Sequence, residues 1–191
     1  MTMTREQWLN DAAQAMHSWL LAAGGNEYKA PLVSVGFPKG SRGKSAANAI
    51  GQCWDKSVSE DKARAHIFIV PTMTEPVEVL AVLAHELVHA SVGTECGHRG
   101  PFRKVAVALG LEGQMTATVA GDALRGRLTA LSESLGDYPH TKLTPRKRGS
   151  IGSRLIKVEC LSCGCIVRMS RKWLDEIGAP CCACGQNMEE T

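Results

Sequence analysis

No stretch of this 191-residue chain approaches the ~20 consecutive apolar residues that a membrane-spanning helix needs, so a bilayer span is not expected. The first residues, Met1-Thr2-Met3-Thr4-Arg5-Glu6, lack the layout of a secretory signal and lead straight into an amphipathic stretch. The expectation is a cytoplasmic protein whose cysteines stay thiols rather than forming a disulfide framework. No internal repeat is visible. Tyrosine is scarce, with two residues in the chain; Tyr138 is therefore one of few phenols available to a reaction centre. Charge of one sign is also lacking overall, at a net +3. It is unevenly placed, however. Lys142, Arg146, Lys147, Arg148, Arg154 and Lys157 fall together with no acidic residue between them, and the rest of the chain has 16 basic against 19 acidic residues.

What is present is chemically specific. His85-Glu86-Leu87-Val88-His89 is an H-E-x-x-H pentapeptide. It lies in a segment, Glu75 to Gly93, where Val77, Leu80, Ala81, Ala84, Leu87, Val88 and Ser91 recur at helical spacing. Thr74 suits an N-cap, Pro76 the first turn and Gly93 the stop. On a helix, residues four apart stand one turn above each other, so both imidazoles reach one ion and Glu86 projects beside them. Zinc on such a site acidifies a water molecule and polarises a carbonyl, and the carboxylate takes the proton.

A catalytic zinc usually has three protein ligands. His98 follows nine residues after His89, in Gly97-His98-Arg99-Gly100-Pro101-Phe102, where the glycines allow the chain to turn back. Glu95 or Glu112 is an alternative third ligand. The longer metzincin motif needs Gly at 92 and His at 95, where this chain has Val92 and Glu95.

Of eight cysteines, six lie in the last 32 residues. Cys160-x-x-Cys163 and Cys181-x-x-Cys184 have the spacing of a four-thiolate zinc site. Cys165 and Cys182 flank these pairs and are able to replace a neighbour. About 35 residues bury too little core to fold without such a staple. Arg168, Arg171, Lys172 and Trp173 lie between the pairs and are available for contact with a partner. Cys53 and Cys96 stand alone and read as packed thiols.

His85-Glu86-x-x-His89-Ala90, a short loop, Gly97-His98-x-Gly100 and the aromatic Phe102 together resemble the SprT-like zinc metalloproteases. Ala49 to Trp54 and His66 to Val70 resemble that family's two strands before the metal helix, and the cysteine-rich end resembles its C-terminal zinc ribbon. The resemblance runs over about residues 5 to 188. It implies zinc on His85, His89 and His98, Glu86 as catalytic base, and cleavage of proteins attached to or near DNA. Arg99, between His98 and Gly100, departs from the family's loop.

The expected architecture is α+β: a zincin-like domain over residues 1–137 with a small antiparallel sheet and helices, a basic linker over 138–154, and a four-cysteine zinc ribbon over 155–191. A capping-box helix starts at Thr4, strands follow at Leu32–Phe37, Ala49–Trp54 and His66–Val70, and further helices at about Pro101–Leu109 and Ala120–Leu135. Two Zn²⁺ per chain are expected, one catalytic and one structural. The expected partners are a protein substrate and single- or double-stranded DNA, with Lys142, Arg146, Lys147, Arg148 and Arg154 as phosphate contacts and the chain a monomer. Two alternatives compete. One is a non-catalytic, nucleic-acid-binding regulatory protein. The other is a zincin cutting one regulatory protein without DNA. Gly40-Ser41-Arg42-Gly43-Lys44-Ser45 ends like a P-loop but has two residues between its glycines instead of four. His17 and His66 read as structural, and His140 in the linker as a stray candidate ligand.

Overall fold

The structure, a computed structural model, describes residues 3–37, 49–60, 62–144 and 155–191. The Gly40–Ser45 segment and Arg146, Lys147, Arg148 and Arg154 lie outside the described residues. The chain is α+β and divides into two compact units, Met1–Thr144 and Pro145–Thr191. Among the described residues no helix is long and apolar enough to cross a membrane.

In the first unit, helix α1 (Arg5–Ala22) starts on a capping box. Thr4 Oγ1 accepts from the Gln7 amide at 3.1 Å, and Gln7 Oε1 accepts from the Thr4 amide at 2.8 Å. Its inner face buries Trp8, Leu9, Ala12, Ala13, Met16 and Leu20. Full burial of Leu9, Met16 and Leu20 contributes about 1.5–3 kcal/mol each. Strands β1 (Leu32–Val35), β2 (Gly51–Trp54) and β3 (His66–Ile69) form one sheet in the order β1-β3-β2.

That sheet is mixed and not wholly antiparallel as expected: β1 runs parallel to β3, and β2 antiparallel. The most apolar strand explains the order. Ile67 and Ile69 are fully buried, so β3 takes the centre, and the strand bearing Gly51 and Gln52 goes to the edge.

Helix α2 (Pro76–Val92) carries the H-E-x-x-H residues through the middle of this unit. It packs against α1, β2 and β3 and against two later helices, α3 (Pro101–Leu109) and α4 (Asp122–Leu135). Leu80, Leu83, Leu87 and Val88 are all fully buried, so α2 is a core helix rather than a one-sided amphipathic one. Its N-cap is Glu75 rather than Thr74, and no side chain caps it. Pro76 at the first helical position keeps the residue before it extended, which makes Glu75 the boundary.

Two strands go beyond the sequence-based expectation. Strands β4 (Leu111–Gln114) and β5 (Ala117–Ala120) make a hairpin between α3 and α4. The chain after α4 also differs from expectation, since residues 138–144 belong to the first unit instead of a free linker. Tyr138 packs on Trp8 with ring centroids 4.8 Å apart. Trp8 Nε1 donates to the Gly136 carbonyl at 3.0 Å, His140 Nε2 to that of Pro71 at 2.9 Å.

The second unit contains β6 (Leu155–Glu159), β7 (Ile166–Ser170), a short helix α5 (Arg171–Ile177) and β8 (Glu189–Glu190), with the strands ordered β7-β6-β8. Its core is small: Val158, Cys160, Cys182 and Met188, with Met169, Leu174 and Ala179 against them.

Candidate metal centre and cleft

Helix α2 sets His85 and His89 one turn apart, and the loop after it returns His98 to them. Gly97 (φ +53°) and Gly100 (φ +42°) bracket this return, both in the left-handed region that side chains resist. His98 Nε2 lies 3.2 Å from His85 Nε2 and 3.2 Å from His89 Nε2. Tetrahedral zinc with bonds of about 2.0–2.1 Å places its ligand nitrogens about 3.3 Å apart, so the spacing fits one ion. The chemistry of the donors agrees. Three neutral Nε2 atoms facing one point leave lone pair against lone pair, and one cation satisfies all three. These histidines form a group able to hold a metal ion.

Beneath them lies Phe102, wholly buried at the start of α3. Its ring centroid is 4.9 Å from that of His85, 4.3 Å from His89 and 4.9 Å from His98. One aromatic side chain thus floors all three imidazoles. Burial depresses the basicity of the trio, to about 4 for His85 and about 3 for His89, with the neighbouring imidazoles adding to the effect; His98 is lowered for the same first reason. Burial thus favours the neutral form of all three, the form a metal takes. Thr118 Oγ1 lies 2.8 Å from His85 Nδ1, on the ring's far side.

Glu86 is 7% exposed. Burial pushes its carboxyl up to about 8, against the lowering effect of a hydrogen bond from the Cys53 amide. Strand β2 comes this close because residue 51 has no side chain: a Cβ there would sit 2.6 Å from Glu86 Oε1 and 2.6 Å from Val82 Cγ1. The Val70 amide donates to the Ile50 carbonyl at 3.0 Å. In this antiparallel register the main-chain groups of Gly51 and Cys53 therefore face away from β3.

They border a cleft of about 520 Å³ lined by residues 49–53 on one side, Thr116, Ala117 and Thr118 of the hairpin on the other, and His85, Glu86, His89 and His98 on the floor. Among the described residues, Glu86 is the only acidic one in this lining.

Several expectations are corrected here. Glu95 and Glu112, the alternative third ligands, lie against Gly93 and Gly121 and outside the histidine group. Tyr138 is in the core against Trp8, 9% exposed, and does not line the cleft, so this phenol is not available to that site. Cys53 does line the cleft instead of only packing in the core; burial, then the charge of Glu86, push its thiol up. Cys96 sits under the loop with its Sγ 3.5 Å from the Gly93 carbonyl oxygen. His17 pairs with Glu27 at 3.2 Å, and neither it, His66 nor His140 joins the histidine group.

In the second unit four thiols converge: Cys160, Cys163, Cys182 and Cys184. Cys160 and Cys184 are 3.5 Å apart at sulfur, as are Cys163 and Cys182, far beyond the ~2.05 Å of a disulfide bond. Amide hydrogen bonds, first from Cys163, bring the Cys160 thiol down to about 7, toward the thiolate a metal binds. The expected ligand Cys181 is not in this group; Cys182 takes its place. Cys181 bridges Asn187 as a strand residue, and successive side chains along an extended segment point to opposite faces. Cys181 therefore faces out and is exposed, while Cys182 faces the cluster and is buried. Cys165 is exposed and outside the group.

Of the expected phosphate contacts within the described residues, Lys142 is exposed at the end of the first unit. Arg171 is engaged by Glu190 at 2.9 Å, whereas Trp173 is half exposed with Lys172 Nζ 5.1 Å from its ring centroid. Comparison with known family models, curated proteins and solved structures finds no match to this chain.

Proposed function

We propose that this protein is a zinc-dependent endopeptidase, similar to SprT-like proteins, that cleaves proteins associated with or crosslinked to DNA. The observation that carries the reading is the convergence of three imidazoles, His98 Nε2 standing 3.2 Å from the Nε2 of both His85 and His89, in one cleft with a buried carboxyl, Glu86. A purely structural metal site needs no such acid. Zinc held by His85, His89 and His98 would supply Lewis acidity for the scissile carbonyl and acidify a water molecule to near neutrality.

A cation on the three histidines would favour the ionised form of Glu86, which then accepts the proton of the attacking water and returns it to the departing amine. Its hydrogen bond from the Cys53 amide fixes the carboxyl's orientation. The outward main-chain groups of Gly51 and the outward carbonyl of Cys53 offer an extended polypeptide an edge to pair with. The hairpin residues Thr116 and Ala117 close the opposite wall with small side chains, which suits an enzyme that takes varied sequences.

The Cys160, Cys163, Cys182 and Cys184 cluster would hold a second zinc, making the C-terminal unit a zinc ribbon. The basic run from Lys142 to Lys157 and the half-exposed Trp173 support a DNA contact, through phosphates and base stacking respectively. Tethering to DNA raises the local concentration of DNA-bound substrates without a selective pocket.

The test is cleavage of casein and of a DNA-binding protein by the full chain, with and without single- and double-stranded DNA. Expected are cleavage stimulated by DNA and no cleavage by Glu86→Gln. Cleavage indifferent to DNA would favour a zincin acting on one regulatory protein. Equal cleavage by Glu86→Gln would overturn the mechanism.

A further inference from the structure

We propose that Thr118 is a positioning residue: its hydroxyl fixes the proton of His85 on Nδ1 and so ties the β4–β5 hairpin to metal loading. The inference rests on reading His85, His89 and His98 as metal ligands, and deepens it. Thr118 Oγ1 stands 2.8 Å from His85 Nδ1, while Nε2 of the same ring faces His98. A neutral imidazole that offers its Nε2 lone pair carries its proton on Nδ1. That N–H needs an acceptor in a part-buried place, and the threonine oxygen is one. His89 has no such help: among the described residues its Nδ1 is buried without a partner. Orientation of the trio is thus set by Phe102 on the apolar side and by Thr118 on the polar side.

The anchor comes from a particular place in the fold. Leu111 and Ala120, paired across the hairpin, root it in the core, while Val119 on the opposite face of β5 is 52% exposed. Thr118 points inward with Ala120, as strand alternation requires. It also belongs to the cleft wall with Thr116 and Ala117. One hydrogen bond therefore joins a metal ligand to the surface that flanks a substrate. Filling the metal site favours the His85 tautomer that holds the hairpin, and by linkage a held hairpin favours the metal. The acceptor is a neutral hydroxyl rather than a carboxylate, so it orients the ring without adding negative charge beside Glu86.

The test compares Thr118→Val, which keeps the β-branched shape, with Thr118→Ser, which keeps the hydroxyl, in the full chain. Cobalt(II) titration reads the histidine site through its ligand-field bands; the thiolate charge-transfer band of the cysteine cluster serves as an internal reference. Thr118→Val is expected to weaken cobalt binding at the histidine site by about 10- to 100-fold and to leave the thiolate band unchanged. Thr118→Ser restores most of the affinity. Hydrogen exchange adds a readout that packing alone would not move: metal slows exchange at residues 111–120 in the wild type and not in Thr118→Val. If Thr118→Val fails to fold, Thr118→Ala carries the same expectations. Wild-type affinity in the hydroxyl-free variant overturns the inference, as does a Thr118→Ser as weak as Thr118→Val. Neither result depends on proteolysis. A weakened histidine site in a chain that cleaves nothing would sink the peptidase reading and leave this one standing.

Discussion

Gly51 and Glu86 are in contact across the cleft: a Cβ on Gly51 would lie 2.6 Å from Glu86 Oε1. The edge strand can rest on the buried carboxyl only because residue 51 has no side chain. Gly51→Ala must push either β2 or the carboxyl aside. Expected are a loss of about 1–3 kcal/mol of stability, as for overpacked cores, and a large fall in kcat with metal content unchanged. Steady-state kinetics with metal analysis on the same sample checks this.

The pH dependence of the metal-free protein follows from opposing shifts. His85 and His89 are lowered from 6.5 to about 4 and about 3, mainly by burial. The unfolded chain binds those protons first, so their contribution is present above pH 6.5 and lost as pH falls toward their folded values. Glu86 is raised from 4.5 to about 8 by burial, so its contribution is present below 4.5 and lost as pH rises through 8. Two histidines outweigh one carboxyl in the lower window, and Glu86 acts alone in the upper. Stability of the metal-free first unit should peak near neutrality and fall by about 2 kcal/mol between pH 6.5 and 8. Urea unfolding of the chelated chain measures it, and Glu86→Gln should abolish that fall.

Phe102 touches all three imidazoles, so its loss should register twice. Phe102→Ala is expected to destabilise the first unit by about 3–5 kcal/mol through the cavity it leaves. It should also weaken metal binding at the histidines more than Phe102→Leu does. Thermal unfolding and metal competition with a chelator separate the two effects.

The cysteine assignment divides two adjacent residues. Cys182→Ser should remove the metal of the second unit and unfold it, because binding and folding are one process in so small a core. Cys181→Ser should retain both metal and fold. Metal content and the amide spectrum of residues 155–191 report the difference.

Much of the site was legible because its signals are local. The H-E-x-x-H spacing places two imidazoles and a carboxyl together by helix geometry alone, and Gly97-His98-x-Gly100 marks a turn with a third imidazole on it. Thr4 and Gln7 give the start of α1 for the same reason. What stayed hidden depends on residues distant in sequence. Thr118 meets His85 across 33 positions, on a four-residue strand whose partner reads Leu-Glu-Gly-Gln. Only Leu111 and Ala120 of that hairpin are buried, too few to show alternation. The central place of β3 emerges from competition among three strands for the core, and the choice of Cys182 over Cys181 from the direction of an extended backbone. In both cases the residue types were in view and their facing was not.

The most direct measurement of the central claim is zinc content and proteolysis measured together on the wild type, His98→Ala and Glu86→Gln. Expected are two zinc ions and cleavage for the wild type, one zinc ion and no cleavage for His98→Ala, and two zinc ions and no cleavage for Glu86→Gln. Full zinc content in His98→Ala, or cleavage by Glu86→Gln at the wild-type rate, would contradict it.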